Sequence, residues 1–109
     1  MSYAIAYASA LAGEPIRAFT VRKKVKVHGT GKLIEGPFLA GDRVVVIEDV
    51  ITTGGSALRA MSAVREAGGV VVGVLAVVDR EEGGREALAV AGIPVLVLST
   101  VSAIMARVP

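Results

Sequence analysis

Three aliphatic runs, Val44–Ile47, Val70–Val78 and Val95–Leu98, constrain this chain more than any other feature, because helical patterns lie between them. Unbroken apolar runs of this length, without polar alternation, are what strands buried on both faces require. Between the first two runs, Ala57, Ala60, Met61, Val64 and Ala67 recur at helical spacing over Ser56–Ala67, and Gly68-Gly69 stops the helix. A second helix is predicted over Gly84–Ala91. Strand and helix in strict alternation imply right-handed crossovers and a parallel sheet, hence an α/β fold. Upstream, the alanine content of residues 2–12 predicts a helix that Gly13 and Pro15 end, followed by a short strand over Ile16–Val21. Ser99 or Ser102 is placed to cap a short terminal helix. With 109 residues there is room for one domain. Aromatics are only 4% of the chain, so Val, Ala, Leu and Ile must build the core, a balance suited to strands with helices on both faces.

Composition also narrows the chemistry. The chain has no cysteine, which removes disulfides and thiolate metal sites and is compatible with a cytoplasmic protein. A single histidine, His28, argues against a histidine-based zinc site. No apolar run approaches the roughly 18 residues needed to cross a bilayer, so no membrane association is expected. The uncharged stretch Ser2–Gly13 lacks the basic start of a signal peptide and reads as a helix. Net charge is only +2, yet Arg22, Lys23, Lys24, Lys26 and Lys32 crowd into the polar, glycine-punctuated stretch Arg22–Asp42. That stretch reads as a long loop, of the kind that serves as a lid or binding element. Its local positive charge points to a small anion rather than to nucleic acid.

The segment following the first buried run gives that anion a place. Val44–Ser56 reads VVVIEDVITTGGS: a strand, an acidic pair, a hydroxyl- and glycine-rich turn, and then a helix. In open α/β sheets ligands bind beyond the carboxyl ends of the strands. Glycines let a backbone approach an anion closely, and the first N–H groups of the helix, with its dipole, favour negative charge. Glu48 and Asp49 are unsuited to phosphate, but they can accept hydrogen bonds from sugar hydroxyls or offset positive charge on a sugar. A solvated turn with Ser56 as helix cap would explain TTGGS alone, but not the strand, the acidic pair and the helix together. The segment is not a nucleotide P-loop, since no GxxxxGK[ST] occurs.

This run resembles the phosphoribosyl-diphosphate signature of type I phosphoribosyltransferases. Two further segments resemble the orotate-specific branch of that family. Phe19–Gly36, FTVRKKVKVHGTGKLIEG, is similar to its mobile catalytic loop, and Asp79–Arg85, DREEGGR, to its D-R-x-E-G-G segment. The resemblance implies a parallel-sheet, Rossmann-like core that starts after the family's first strand and so is truncated at its N-terminus. It implies that Glu48, Asp49, Val50, Ile51, Thr52, Thr53, Gly54, Gly55 and Ser56 surround the phosphoribosyl group. It further implies that Arg22, Lys23, Lys26 and His28 contact the diphosphate, with Lys26 and Asp49 catalytic and Lys23 reaching the active site of a second subunit in a homodimer. Arg80 and Thr52 would contact orotate; a guanidinium fork suits a flat, anionic, carbonyl-rich base.

The implied reaction transfers 5-phosphoribosyl from its 1-diphosphate to orotate, giving orotidine 5'-phosphate and diphosphate. Magnesium is expected to arrive with the substrate, so no protein ligand is assigned to it. Competing readings are a purine or uracil phosphoribosyltransferase, a non-catalytic sensor of phosphoribosyl diphosphate, and an inactive fragment. Arg80 could instead pair with Glu81, Glu82 or a helix terminus. Asp79, Glu81 and Glu82 are read as structural or solvated.

Overall fold

The computed structural model describes residues 2–22 and 33–109. In chain order the elements are α1 (Ser2–Leu11), β1 (Thr20–Val21), β2 (Ile34–Glu35), β3 (Arg43–Ile51), α2 (Gly55–Glu66), β4 (Val70–Asp79), α3 (Gly84–Val90), β5 (Val95–Thr100) and α4 (Val101–Met105). Strands β3, β4 and β5 form a parallel sheet in that order, joined by α2 and α3 as crossovers. This is the predicted α/β architecture.

The core lies between the sheet and the two crossover helices. Val44, Val46, Val74 and Ala76 from the strands meet Ala57, Met61 and Val64 of α2 and Leu88 of α3, all buried. Met61, Leu88 and Val64 are the largest fully buried side chains; each such burial stabilises the fold by roughly 1.5–3 kcal/mol. The predicted apolar stripe of α2 is largely observed, but Ala63 is buried where Ala67 was expected, because Ala67 already caps the helix end. Gly68 and Gly69 end α2 in a Schellman motif: the Gly68 amide donates to the Arg65 carbonyl at 3.0 Å, and the Gly69 amide to Val64 at 2.9 Å.

Four expectations need correction. The opposite face of the sheet is not covered by helices among the described residues: Val45, Val77, Leu96 and Leu98 are exposed there. The Ile16–Val21 strand contracts to Thr20–Val21, since Ile16 is exposed and its amide is taken by the Ser9 hydroxyl. That short strand pairs antiparallel with Ile34–Glu35 inside the segment read as one long loop, in the register Thr20↔Glu35 and Val21↔Ile34. Finally, Thr100, not either serine, caps α4, its hydroxyl accepting from the Ala103 amide at 3.1 Å.

Candidate functional site

The three parallel strands end in register, Ile51 beside Asp79 beside Thr100. The turn 52–54, the turn 80–83 and helix α4 therefore leave the sheet from one edge. The strand β3 is longer than its apolar run, because Glu48, Val50 and Ile51 continue its ladder with β4. The acidic pair thus sits within the strand, and alternation sends its two side chains to opposite faces. Glu48 turns to the α2 side, where Oε1 accepts from the Ser56 hydroxyl at 3.3 Å. The exposed Asp49 accepts from the Val50 amide at 2.8 Å.

Gly54, not Ser56, precedes the first turn of α2. Its φ of 89° is left-handed, and no side chain caps the helix. The leading amides of α2 are therefore left to water or to an anion, the arrangement that binds phosphate. Thr52 is half-buried and Thr53 exposed beside them.

The second turn packs directly on the first. A β carbon on Gly54 would lie 3.2 Å from the Gly84 carbonyl oxygen. One on Gly84 would lie 2.7 Å from the Thr52 oxygen and 2.2 Å from Ile51 Cγ2. The Arg80 amide donates to the Ile51 carbonyl at 2.9 Å, so the turn that carries Arg80 is tied to the end of β3. The Arg80 side chain is 58% exposed, and its Nε stands 3.5 Å from a Glu82 carboxylate oxygen. This is the weak, exposed pair that the sequence left open. Asp79 is buried, 4% exposed, and accepts from the Glu81 amide at 2.8 Å, which makes it structural.

Beside β3 lies an open cleft of about 1030 Å³, whose walls include Phe19, Arg22, Glu48, Ser56 and Arg59. Arg22 directly follows β1, at the end of the β1–β2 pair that leads into the connecting segment: its amide donates to Leu33 at 2.8 Å and its Nε to Glu35 at 2.8 Å. Arg59 is a cation the sequence reading passed over. Its Nη1 would be 3.2 Å from a β carbon on Gly55, so its guanidinium lies over the turn. The available signal was its position one helical turn after Gly55. Lys23, Lys26 and His28 lie outside the described residues.

Residues 6–93 match the phosphoribosyl transferase domain. The chain belongs to that family. The orotate phosphoribosyltransferase of Aquifex aeolicus (strain VF5) is 51% identical over 105 residues, covering 96% of this chain and 57% of the relative. The orotate phosphoribosyltransferase of Rhodopseudomonas palustris (strain BisB18) is 58% identical over 95 residues, covering 84% of this chain and 51% of the relative. Among solved structures, Mycobacterium tuberculosis H37Rv orotate phosphoribosyltransferase in complex with 5-phospho-alpha-D-ribosyl 1-diphosphate superposes with a TM-score of 0.73 at 44% identity. That match covers 83% of this chain and 51% of the other. This phosphoribosyl transferase domain thus spans about half the length of the curated relatives it matches.

Proposed function

We propose that this phosphoribosyl transferase domain holds phosphoribosyl diphosphate on Glu48–Ser56 and orotate against Thr52 and Arg80, and that it transfers the phosphoribosyl group to orotate as a cytoplasmic homodimer. One observation carries this reading: the anion-binding turn and the Arg80 turn leave the same sheet edge, packed together through Gly54 and Gly84. Its similarity to orotate phosphoribosyltransferases supports orotate as the acceptor.

In the reaction the bond from the anomeric carbon to the diphosphate breaks, its electron pair leaving with the diphosphate, while a bond to an orotate nitrogen forms and that nitrogen's proton passes to solvent. Positive charge builds on the ribose and negative charge on the leaving group. The phosphate end rests on the uncapped start of α2, with Val50 and Ile51 leading into it. Glu48 and Asp49 lie in the carboxyl-terminal half of β3, where they can accept hydrogen bonds from sugar hydroxyls and offset positive charge on the ribose. Lys26 neutralises the diphosphate, helped by His28, by Arg22 released from Glu35, and by Lys23 of the partner subunit. Magnesium would arrive with the substrate phosphates and would supply charge neutralisation for the leaving group. Among the described residues no three carboxylate or imidazole groups cluster to cage it, and the opposed Glu48 and Asp49 offer at most one carboxylate. No described helix is long and apolar enough to cross a membrane.

The test is to incubate the chain with orotate, phosphoribosyl diphosphate and magnesium, and to follow the loss of orotate absorbance. Binding of both substrates without turnover would overturn the catalytic reading. Lys26→Ala should lower kcat by about a hundredfold or more while changing orotate affinity by less than about threefold. An unchanged kcat would remove Lys26 from catalysis.

A further inference from the structure

Glu81 is the only non-glycine residue with positive φ among the described residues, at 62°. A side chain with a β carbon enters that region only when its surroundings hold it there. Here three contacts do so. The buried Asp79 carboxylate accepts from the Glu81 amide at 2.8 Å. The preceding amide, of Arg80, is fastened to Ile51 of β3 at 2.9 Å. The Glu81 carboxylate itself crosses to the start of α4, where Oε1 accepts from the Ser102 amide at 2.8 Å. Hydrogen bonds from the Ser102 hydroxyl and amide also hold the Glu81 carboxyl below its ordinary pKa, as expected for a group bonded in its charged form.

Among the described residues the Arg80 side chain, unlike its amide, has no comparable support of its own. That side chain is mostly exposed and, among the described residues, is paired with Glu82 at 3.5 Å. Its position therefore depends on the backbone kink at the next residue. We infer that Glu81 is a positioning residue: its carboxylate, stapled to Ser102, holds the left-handed turn that fixes where Arg80 leaves the sheet edge. The inference rests on the reading of Arg80 as the contact for an anionic acceptor. It also makes α4 part of the acceptor side of the site, although no residue of α4 need touch the acceptor.

Three variants of the full chain separate positioning from folding. Glu81→Ala removes the staple, and Glu81→Gly removes it while relieving the unfavourable φ. Glu81→Gln keeps an oxygen acceptor for Ser102. Loss of alignment should raise KM for orotate roughly ten- to a hundredfold in the Ala variant and by less in the Gly variant, whose backbone enters the left-handed region without a staple. KM for phosphoribosyl diphosphate should stay within about twofold, because the phosphate turn keeps its own contacts. The Gln variant should restore orotate KM to within about threefold of wild type. A wild-type orotate KM in both Glu81→Ala and Glu81→Gly would overturn the inference, as would an equal rise in both KM values. If the wild-type chain neither binds nor turns over orotate, the functional reading fails instead, and amide hydrogen exchange still tests the staple. Glu81→Ala should then deprotect the Arg80 and Ser102 amides together. An unchanged Arg80 rate would overturn the proposed coupling.

Discussion

Gly84 is the residue at which the two functional turns tolerate least change. A β carbon there would press on the Thr52 carbonyl and the Gly54 amide, both backbone, as well as on Ile51. Backbone cannot rotate away as a side-chain tip can, so Gly84→Ala should destabilise the fold by about 1–3 kcal/mol in urea unfolding. Gly55→Ala is the contrast: its new carbon would meet chiefly the mobile end of Arg59, and the change should stay within about 1 kcal/mol. Equal losses at both positions would show that the Gly54–Gly84 contact is unimportant. Charge is tuned at this scale too. The Leu39 amide, donating to Asp42 at 3.0 Å, holds the Asp42 carboxyl below its ordinary pKa; burial opposes this, and the Arg17 guanidinium adds to the lowering. A carboxyl lowered in the folded state contributes stability above its unfolded pKa and loses it as pH falls through the folded value. Asp42→Asn should therefore lower Tm near neutral pH, and the gap from wild type should close on acidification below the ordinary aspartate range. A constant gap would show that the charged form is not what matters.

Among the elements, α4 is held by two side chains from different places. Thr100 caps it locally, and Glu81 reaches it from the turn after β4. Thr100→Ala should cost about 1 kcal/mol, as loss of a hydroxyl cap does elsewhere, and its helix should remain because Ser102 keeps its carboxylate partner. The cap also shows what was legible in the sequence. The centres of β3, β4 and β5 were plain because unbroken aliphatic runs announce buried strands. Their carboxyl ends were not, because Glu48, Asp79 and Thr100 join the ladder through backbone pairing, which leaves no hydrophobic signal. The β1–β2 ladder was hidden for a related reason: each strand has two residues, too few to show a period. At the site, glycines and hydroxyls around Thr52–Ser56 were the signal for the proposed anion cradle. The contact between Gly54 and Gly84 was not readable, since it joins segments that only the sheet brings together.

For the molecule as a whole, exposure is the distinguishing property. The Cα radius of gyration is 15.1 Å, against about 13 Å for a compact chain of this length. Val45, Val77, Leu96 and Leu98 remain open on one sheet face, and Tyr7 and Leu11 on α1. Apolar surface of this kind favours association, in keeping with the proposed homodimer. The sharper question is which lysine serves which active site. If Lys26 acts in its own subunit and Lys23 in the partner's, Lys23→Ala and Lys26→Ala should each abolish most activity alone. Unfolding and refolding the two variants together should then restore activity. In a mixed dimer, one site receives Lys26 from the first variant and Lys23 from the second, while the other site receives neither. Random pairing makes half of the dimers mixed, each with one intact site of two, so roughly a quarter of wild-type activity should return. If both lysines come from the same subunit, whether the site's own or its neighbour's, every site lacks one of them and nothing returns. The refolding mixture thus tests the shared site directly, with sedimentation velocity on the same samples to confirm that dimers have formed.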